Sequence, residues 1–283
     1  MPSIAIDGAR IVYEAAGQGP ALVLLHSTAS SRQQWAGLRE ALCGRFTLVA
    51  VDAYGHGDSD PWPGHRPITL ADEAAVVARV IDRLPGRVHL VGHSYGGAVA
   101  LRLALGSDRL ASLVLVEPVS FHLLRDGSAF DAGLLDDIAP VADAVRGAVA
   151  TGDHEAGLGR FVDYWNGAGT WAAVKPERRQ ALCRLAPAVA HNFDAAEGDP
   201  ARLADCAGLR LPTLIMAGEL TTRPAARIAA RLATAIPGAE CRIVAGAGHM
   251  LPRTHPAAFL EALSAHLDRA MTGRAKVHRL AAA

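Results

Sequence analysis

Short, largely apolar runs alternate with longer stretches of helical periodicity along this chain, and that rhythm predicts its architecture. Residues 21–26, 46–51, 87–91, 111–116, 213–217 and 241–244 form runs of four to six residues that read as continuous rather than alternating strands. A strand that is apolar throughout is buried on both faces, so these six are expected in a parallel sheet covered by helices on either side. Residues 4–6 and 10–15 alternate instead and are joined by Asp7-Gly8, the signature of an antiparallel hairpin at a sheet edge. The pattern predicts an α/β fold whose central sheet is mostly parallel, holds about eight strands and is flanked by helices.

Helices are expected in the gaps. Residues 31–42 turn Trp35 and Leu38 inward, and Thr69 with Asp72 makes a capping box that opens a helix running to Leu84 and stopping at Pro85-Gly86. The interval 119–209 breaks the rhythm, because about ninety residues without a strand pattern are too many for a connecting loop. It is expected to be a helical lid inserted after the sixth strand, leaving 1–118 and 210–268 as the core domain. Phe121, Phe130, Phe161, Tyr164, Trp165 and Trp171 give the insertion an aromatic face, which either packs as core or in part lines a substrate pocket. Residues 269–283 are basic, rich in small residues and aperiodic, and are read as a flexible tail.

Composition narrows the function. Of 283 residues, 51% are hydrophobic and 20% charged, enough to bury a large core in one domain with an insertion. Basic and acidic side chains number 28 each, so no net field would draw in nucleic acid or an anionic membrane. The expected partner is a small-molecule substrate, with no nucleic acid and no membrane, and the pattern sets no oligomeric state. Residues 1–17 lack the charge and apolar run of a signal peptide, and no later segment has the apolar length of a membrane span. The cytoplasm is the simplest location. Cys43, Cys183, Cys206 and Cys241 are scattered, with no close pairing and no histidine cluster beside them, as expected of reduced thiols. Neither a metal nor a cofactor is expected.

The sharpest chemical signal follows the run 87–91. Gly92-His93-Ser94-Tyr95-Gly96-Gly97 holds a serine between glycines where a strand gives way to the apolar helix expected over 98–105. A turn this tight needs glycine at 92 and 96 to avoid collision with the flanking strand and helix. It lifts the Ser94 hydroxyl above the sheet, beside a helix N-terminus whose amides favour developing negative charge.

Four pieces, in this order, resemble the α/β-hydrolase superfamily over nearly the whole chain. His26 ends the strand that in this family precedes the oxyanion loop, with His26-Ser27 in place of the usual His-Gly. Asp52-Ala53-Tyr54-Gly55-His56-Gly57-Asp58-Ser59 matches the loop D-x-x-G-x-G-x-S that shapes the floor of the site, and Gly92 to Gly96 is similar to the nucleophile elbow. Gly246-Ala247-Gly248-His249-Met250-Leu251 resembles the loop that carries the catalytic histidine. The resemblance implies Ser94 as nucleophile, His249 as general base, and the backbone amides of Thr28 and Tyr95 as the oxyanion hole. Of the other histidines, His56 is expected to brace its loop and His93 to pack beside the serine.

The third member of the triad is displaced. Where the family most often carries Gly-x-x-Asp after the strand that follows the insertion, this chain has Gly218-Glu219-Leu220-Thr221, and a threonine cannot balance an imidazolium. Glu117 ends the run 111–116 at the carboxyl edge of the sheet, where the sites of open parallel sheets lie. That position resembles the acid of haloalkane dehalogenases. Glu219, or no acid at all, remains the alternative. Serine at the elbow argues against dehalogenase and epoxide hydrolase chemistry, which begins with carboxylate attack. The resemblance implies a serine hydrolase of carboxylesterase type acting on a small to medium, mostly apolar ester. Two other expectations stay open: a ligand receptor with little turnover, suggested by Ser27 and Thr221, and a cofactor-free oxygenase or perhydrolase built on the same residues.

Overall fold

The computed structural model describes residues 1–281, with side chains through residue 272. Eight strands form one sheet: β1 (Ser3–Ile6), β2 (Ala9–Gly17), β3 (Ala21–Leu25), β4 (Thr47–Val51), β5 (Val88–His93), β6 (Leu110–Val116), β7 (Thr213–Gly218) and β8 (Glu240–Val244). Their order across the sheet is β1-β2-β4-β3-β5-β6-β7-β8. β1 pairs antiparallel with β2, and β2 antiparallel with β4, while every other neighbour is parallel. The alternating N-terminal segments thus form the predicted hairpin at the edge, and the continuous apolar runs other than 241–244 lie inside.

The pleat explains why those inner strands lack a polar face. Val23 and Leu25 of β3, Val49 and Val51 of β4, and Leu113 and Leu115 of β6 join one buried cluster, whereas Leu22, Leu24, Leu48, Val114 and Val116 join another on the opposite face. Each side is covered by helix. β8 departs from the pattern: it lies at the far edge, its burial alternates, and Ile243 is 61% exposed.

Between the strands run α1 (Leu38–Leu42), α2 (Leu70–Ile81) and α3 (Tyr95–Ala104). The expected single helix over 31–42 is a 3-10 turn, Arg32–Trp35, followed by α1. Trp35, Leu38 and Leu42 still face the core. The capping box at Thr69 is formed in both directions, with the Asp72 carboxylate accepting from the Thr69 amide at 2.9 Å and the Thr69 hydroxyl accepting from the Asp72 amide at 3.3 Å.

Helices alone fill the space between β6 and β7 among the described residues. They are α4 (His122–Arg125), α5 (Ala129–Gly133), α6 (Leu135–Thr151), α7 (His154–Asn166), α8 (Thr170–Ala173), α9 (Pro176–Cys183), α10 (Ala186–Gly198) and α11 (Leu203–Cys206). α12 (Arg223–Ala235), α13 (Leu251–Thr254) and α14 (Pro256–Ala281) complete the chain. α14 passes through residue 269, where the sequence pattern ends the core. Phe259, Leu263, Leu267 and Ala270 recur at intervals of three and four and are buried together, so helical packing carries the ordered face beyond that point. The side chains of the remaining tail residues, 273–283, lie outside the described set.

Candidate active site

The site grows from the carboxyl ends of β5 and β6. Ser94 follows β5 directly and opens α3 at φ 55°, ψ −118°, a conformation that a side-chain-bearing residue adopts only when its surroundings impose it. The surroundings are glycines. A Cβ at Gly96 would lie 2.5 Å from the Leu25 carbonyl oxygen, and one at Gly92 would run into the Gly96 backbone. β3, β5 and α3 can approach closely enough to aim the serine only because both side chains are missing.

The structure brings the three sequence-predicted side chains together. Ser94 Oγ lies 2.9 Å from His249 Nε2, and His249 Nδ1 lies 3.0 Å from Glu117 Oε2. All three are buried, with Glu117 completely so. A carboxylate only accepts, so Nδ1 carries the imidazole proton and Nε2 is left to accept from the Ser94 hydroxyl. Glu117 also occupies strained backbone, at φ 51°. Its Oε1 accepts from the Gly218 amide at 2.6 Å, and its Oε2 accepts from the Thr221 hydroxyl. Burial pushes the Glu117 carboxyl up, but the bonds from His249, Thr221 and Gly218 outweigh it and hold the group below the ordinary carboxylate range.

Thr221, at the position where the family most often carries aspartate, is therefore a donor to Glu117 at the end of the neighbouring strand. Glu219 is turned elsewhere: its Oε2 accepts from the Gly246 amide at 2.9 Å, bracing the loop that carries His249.

Thr28 and Tyr95 line the same cavity as Ser94. The flanking amides are engaged: Gly96 donates to the His26 carbonyl at 3.2 Å and Ala29 donates to His56 Nε2 at 3.2 Å. Among the described residues no acceptor is assigned to the amides of Thr28 or Tyr95. Ala29 sits at φ 56°, which the bond to His56 holds in place. His56 Nδ1 donates to the Tyr54 carbonyl at 2.8 Å, and burial lowers this imidazole to about 3, so it stays a neutral acceptor for Ala29.

His93 does more than pack. Its Nδ1 accepts from Gln34 Nε2 at 3.0 Å and its Nε2 donates to the His249 carbonyl at 2.9 Å. Burial pushes His93 down to about 3, keeping it neutral and that tautomer in place. Gln34 Oε1 in turn accepts from both the amide and the hydroxyl of Ser27, at 3.1 and 2.9 Å. The loop after β3 and the loop that carries His249 are thus tied through two side chains. No sequence signal marked Gln34, because its partners are 7 and 59 residues away.

Side chains from the helices between β6 and β7 pack against the site. The Trp165 ring stacks on His249 with centroids 3.9 Å apart and planes 28° from parallel. Phe121, Phe161 and Trp165 line a narrow cavity of about 20 Å³ beside Ser94, joined by Val189, Asn192 and Phe193 of α10. The other aromatic residues of the predicted face take different places. Phe130 is 62% exposed, Trp171 stacks under Arg179, and Tyr164 packs edge-on against Trp165. Among the described residues no cluster of histidine, cysteine and acidic side chains is placed to hold a metal ion, and no helix is long and apolar enough to cross a membrane.

A family model described as the alpha/beta hydrolase family matches residues 22–262. The pimeloyl-[acyl-carrier protein] methyl ester esterase of Nitrosomonas europaea is 43% identical over 109 residues, which is 38% of this chain and 41% of that protein. The polyketide synthase ThaQ of Burkholderia thailandensis is 31% identical over 282 residues, covering 93% of this chain and 12% of the synthase. A hydrolase from Pseudomonas aeruginosa superposes with a TM-score of 0.74 at 27% identity, covering 94% of this chain and 97% of that one.

Proposed function

Because the chain belongs to the alpha/beta hydrolase family, we propose that it is a serine hydrolase of carboxylesterase type. In this proposal Ser94 is the nucleophile, His249 the general base and Glu117 the triad acid, acting on a small to medium, mostly apolar carboxylic ester. The supporting observation is the unbroken hydrogen-bonded run from Ser94 Oγ through His249 to Glu117. As Ser94 Oγ attacks the ester carbonyl carbon, its proton passes to His249 Nε2, and Glu117 offsets the imidazolium charge through Nδ1. The developing alkoxide is received by the amides of Thr28 and Tyr95. Collapse of the tetrahedral intermediate expels the alcohol, which takes the proton from His249 and leaves an acyl group on Ser94. Water then attacks that acyl carbonyl, gives its proton to His249, and the carboxylic acid departs as Ser94 regains its proton.

Residues 119–209 serve in this scheme as the lid. Trp165 on the His249 ring excludes water from the base, and the apolar walls select apolar acyl groups. Likeness to the pimeloyl-[acyl-carrier protein] methyl ester esterase supports an ester rather than an amide as substrate, and the cytoplasm is the simplest place of action. The test is hydrolysis of p-nitrophenyl esters from acetate to octanoate by the native protein and by Ser94→Ala. Short and medium chains should turn over, and the variant should lose about 10³-fold or more in kcat. Native turnover that survives in Ser94→Ala would refute the assignment.

A further inference from the structure

One end of the cavity beside Ser94 is polar for no reason that ester cleavage supplies. α10 presents Val189, Asn192, Phe193 and Ala196 to the cavity at helical spacing, so Asn192 sits in the middle of an apolar stripe. It is 4% exposed, and its Oδ1 has no hydrogen-bond partner. Behind it stands the Tyr95 hydroxyl, flanked by Asn192 on one side and Glu73 of α2 on the other, with no fully formed bond to either. Glu73 Oε1 is likewise buried and unpaired. Burial pushes the Glu73 carboxyl up to about 8, so it is neutral at pH 7 and tolerates this setting.

Three buried, unpaired polar atoms are costly in an interior that leucine or alanine could fill. The Tyr95 hydroxyl lies next to both Asn192 and Glu73. Asn192 lines the cavity, and its buried Oδ1 is an acceptor left without a partner. We infer that Asn192, backed by Tyr95 and Glu73, forms a specificity subsite for an acyl group that carries a hydrogen-bond donor, a hydroxyl, along its chain.

This subsite rests on acyl transfer at Ser94, so its test must tell the two apart. Methyl esters of 3-, 4- and 5-hydroxyalkanoic acids would be compared, as kcat/KM from acid release, with isosteres in which methyl replaces hydroxyl. The native protein should favour the hydroxy ester at one position by roughly tenfold or more, since a site built to bond a hydroxyl discriminates strongly against its absence. Asn192→Leu should bring that ratio to one or below. The native comparison needs no variant, so a misfolded Asn192→Leu would not shield the inference. A native preference for the methyl isostere at every position overturns it. A fluorophosphonate probe separates the failures: labelling of Ser94 without hydroxyl selectivity sinks the subsite alone, and absence of labelling and of turnover sinks acyl transfer and the subsite together.

Discussion

Ser94 and Glu117 occupy equivalent places, each the first residue past an inner strand and each at positive φ, at 55° and 51°. The strain is local, and the contacts around it are what the site is made of. Replacing Glu117 by Gln keeps the shape but withdraws the charge that orients His249. We expect kcat to fall by about 10³- to 10⁴-fold, with Glu219→Gln close to native in the same assay. Thr221→Val should cost about tenfold in kcat by removing a donor to Glu117, with KM little changed. Because Glu117 is held below the ordinary carboxylate range, its contribution to stability is present above that range and lost as pH falls through the depressed value. Urea midpoints measured from pH 7 down to pH 3 should therefore drop more steeply in the native protein than in Glu117→Gln. At this scale the sequence exposes the residue that needs glycine neighbours, Ser94 between Gly92 and Gly96. It hides those whose role depends on a distant partner. Thr221 acquires its donor role only when β7 is laid beside β6, and Asn192 acquires its place only when α10 folds over the elbow.

Among the elements, strands were legible and helices less so. β3, β5 and β6 are apolar on both faces because both faces are covered, and no other arrangement explains such runs. The insertion was recognisable as helical, yet its boundaries follow glycines and prolines whose effect depends on packing, as the helical Pro140 inside α6 illustrates. Two element-scale outcomes follow from the contacts. Gly96→Ala should cost more than about 4 kcal/mol or prevent soluble expression, because the new methyl would meet backbone of β3 that cannot yield. Trp165→Ala should destabilise the protein by about 3–5 kcal/mol through cavity formation and also lower kcat by uncovering His249, as read from thermal unfolding and ester hydrolysis together.

At the scale of the whole molecule, the insertion and the sheet share a core. Phe121, Leu124, Ile138 and Phe161 belong to the same buried cluster as Val23, Leu90 and Leu113. The sequence pattern separates 119–209 as a unit, but shared burial of this kind ties its stability to that of the sheet. Calorimetry should accordingly give one cooperative transition, and two resolved transitions would oppose that coupling. The account as a whole depends on Ser94 being the one hydroxyl activated for attack. Reaction with a fluorophosphonate, followed by intact-mass measurement and peptide mapping, tests this most directly. One adduct per chain, on Ser94, appearing in step with the loss of ester hydrolysis, is the predicted result. A protein that stays unmodified, or one that is modified elsewhere and loses activity, would contradict it.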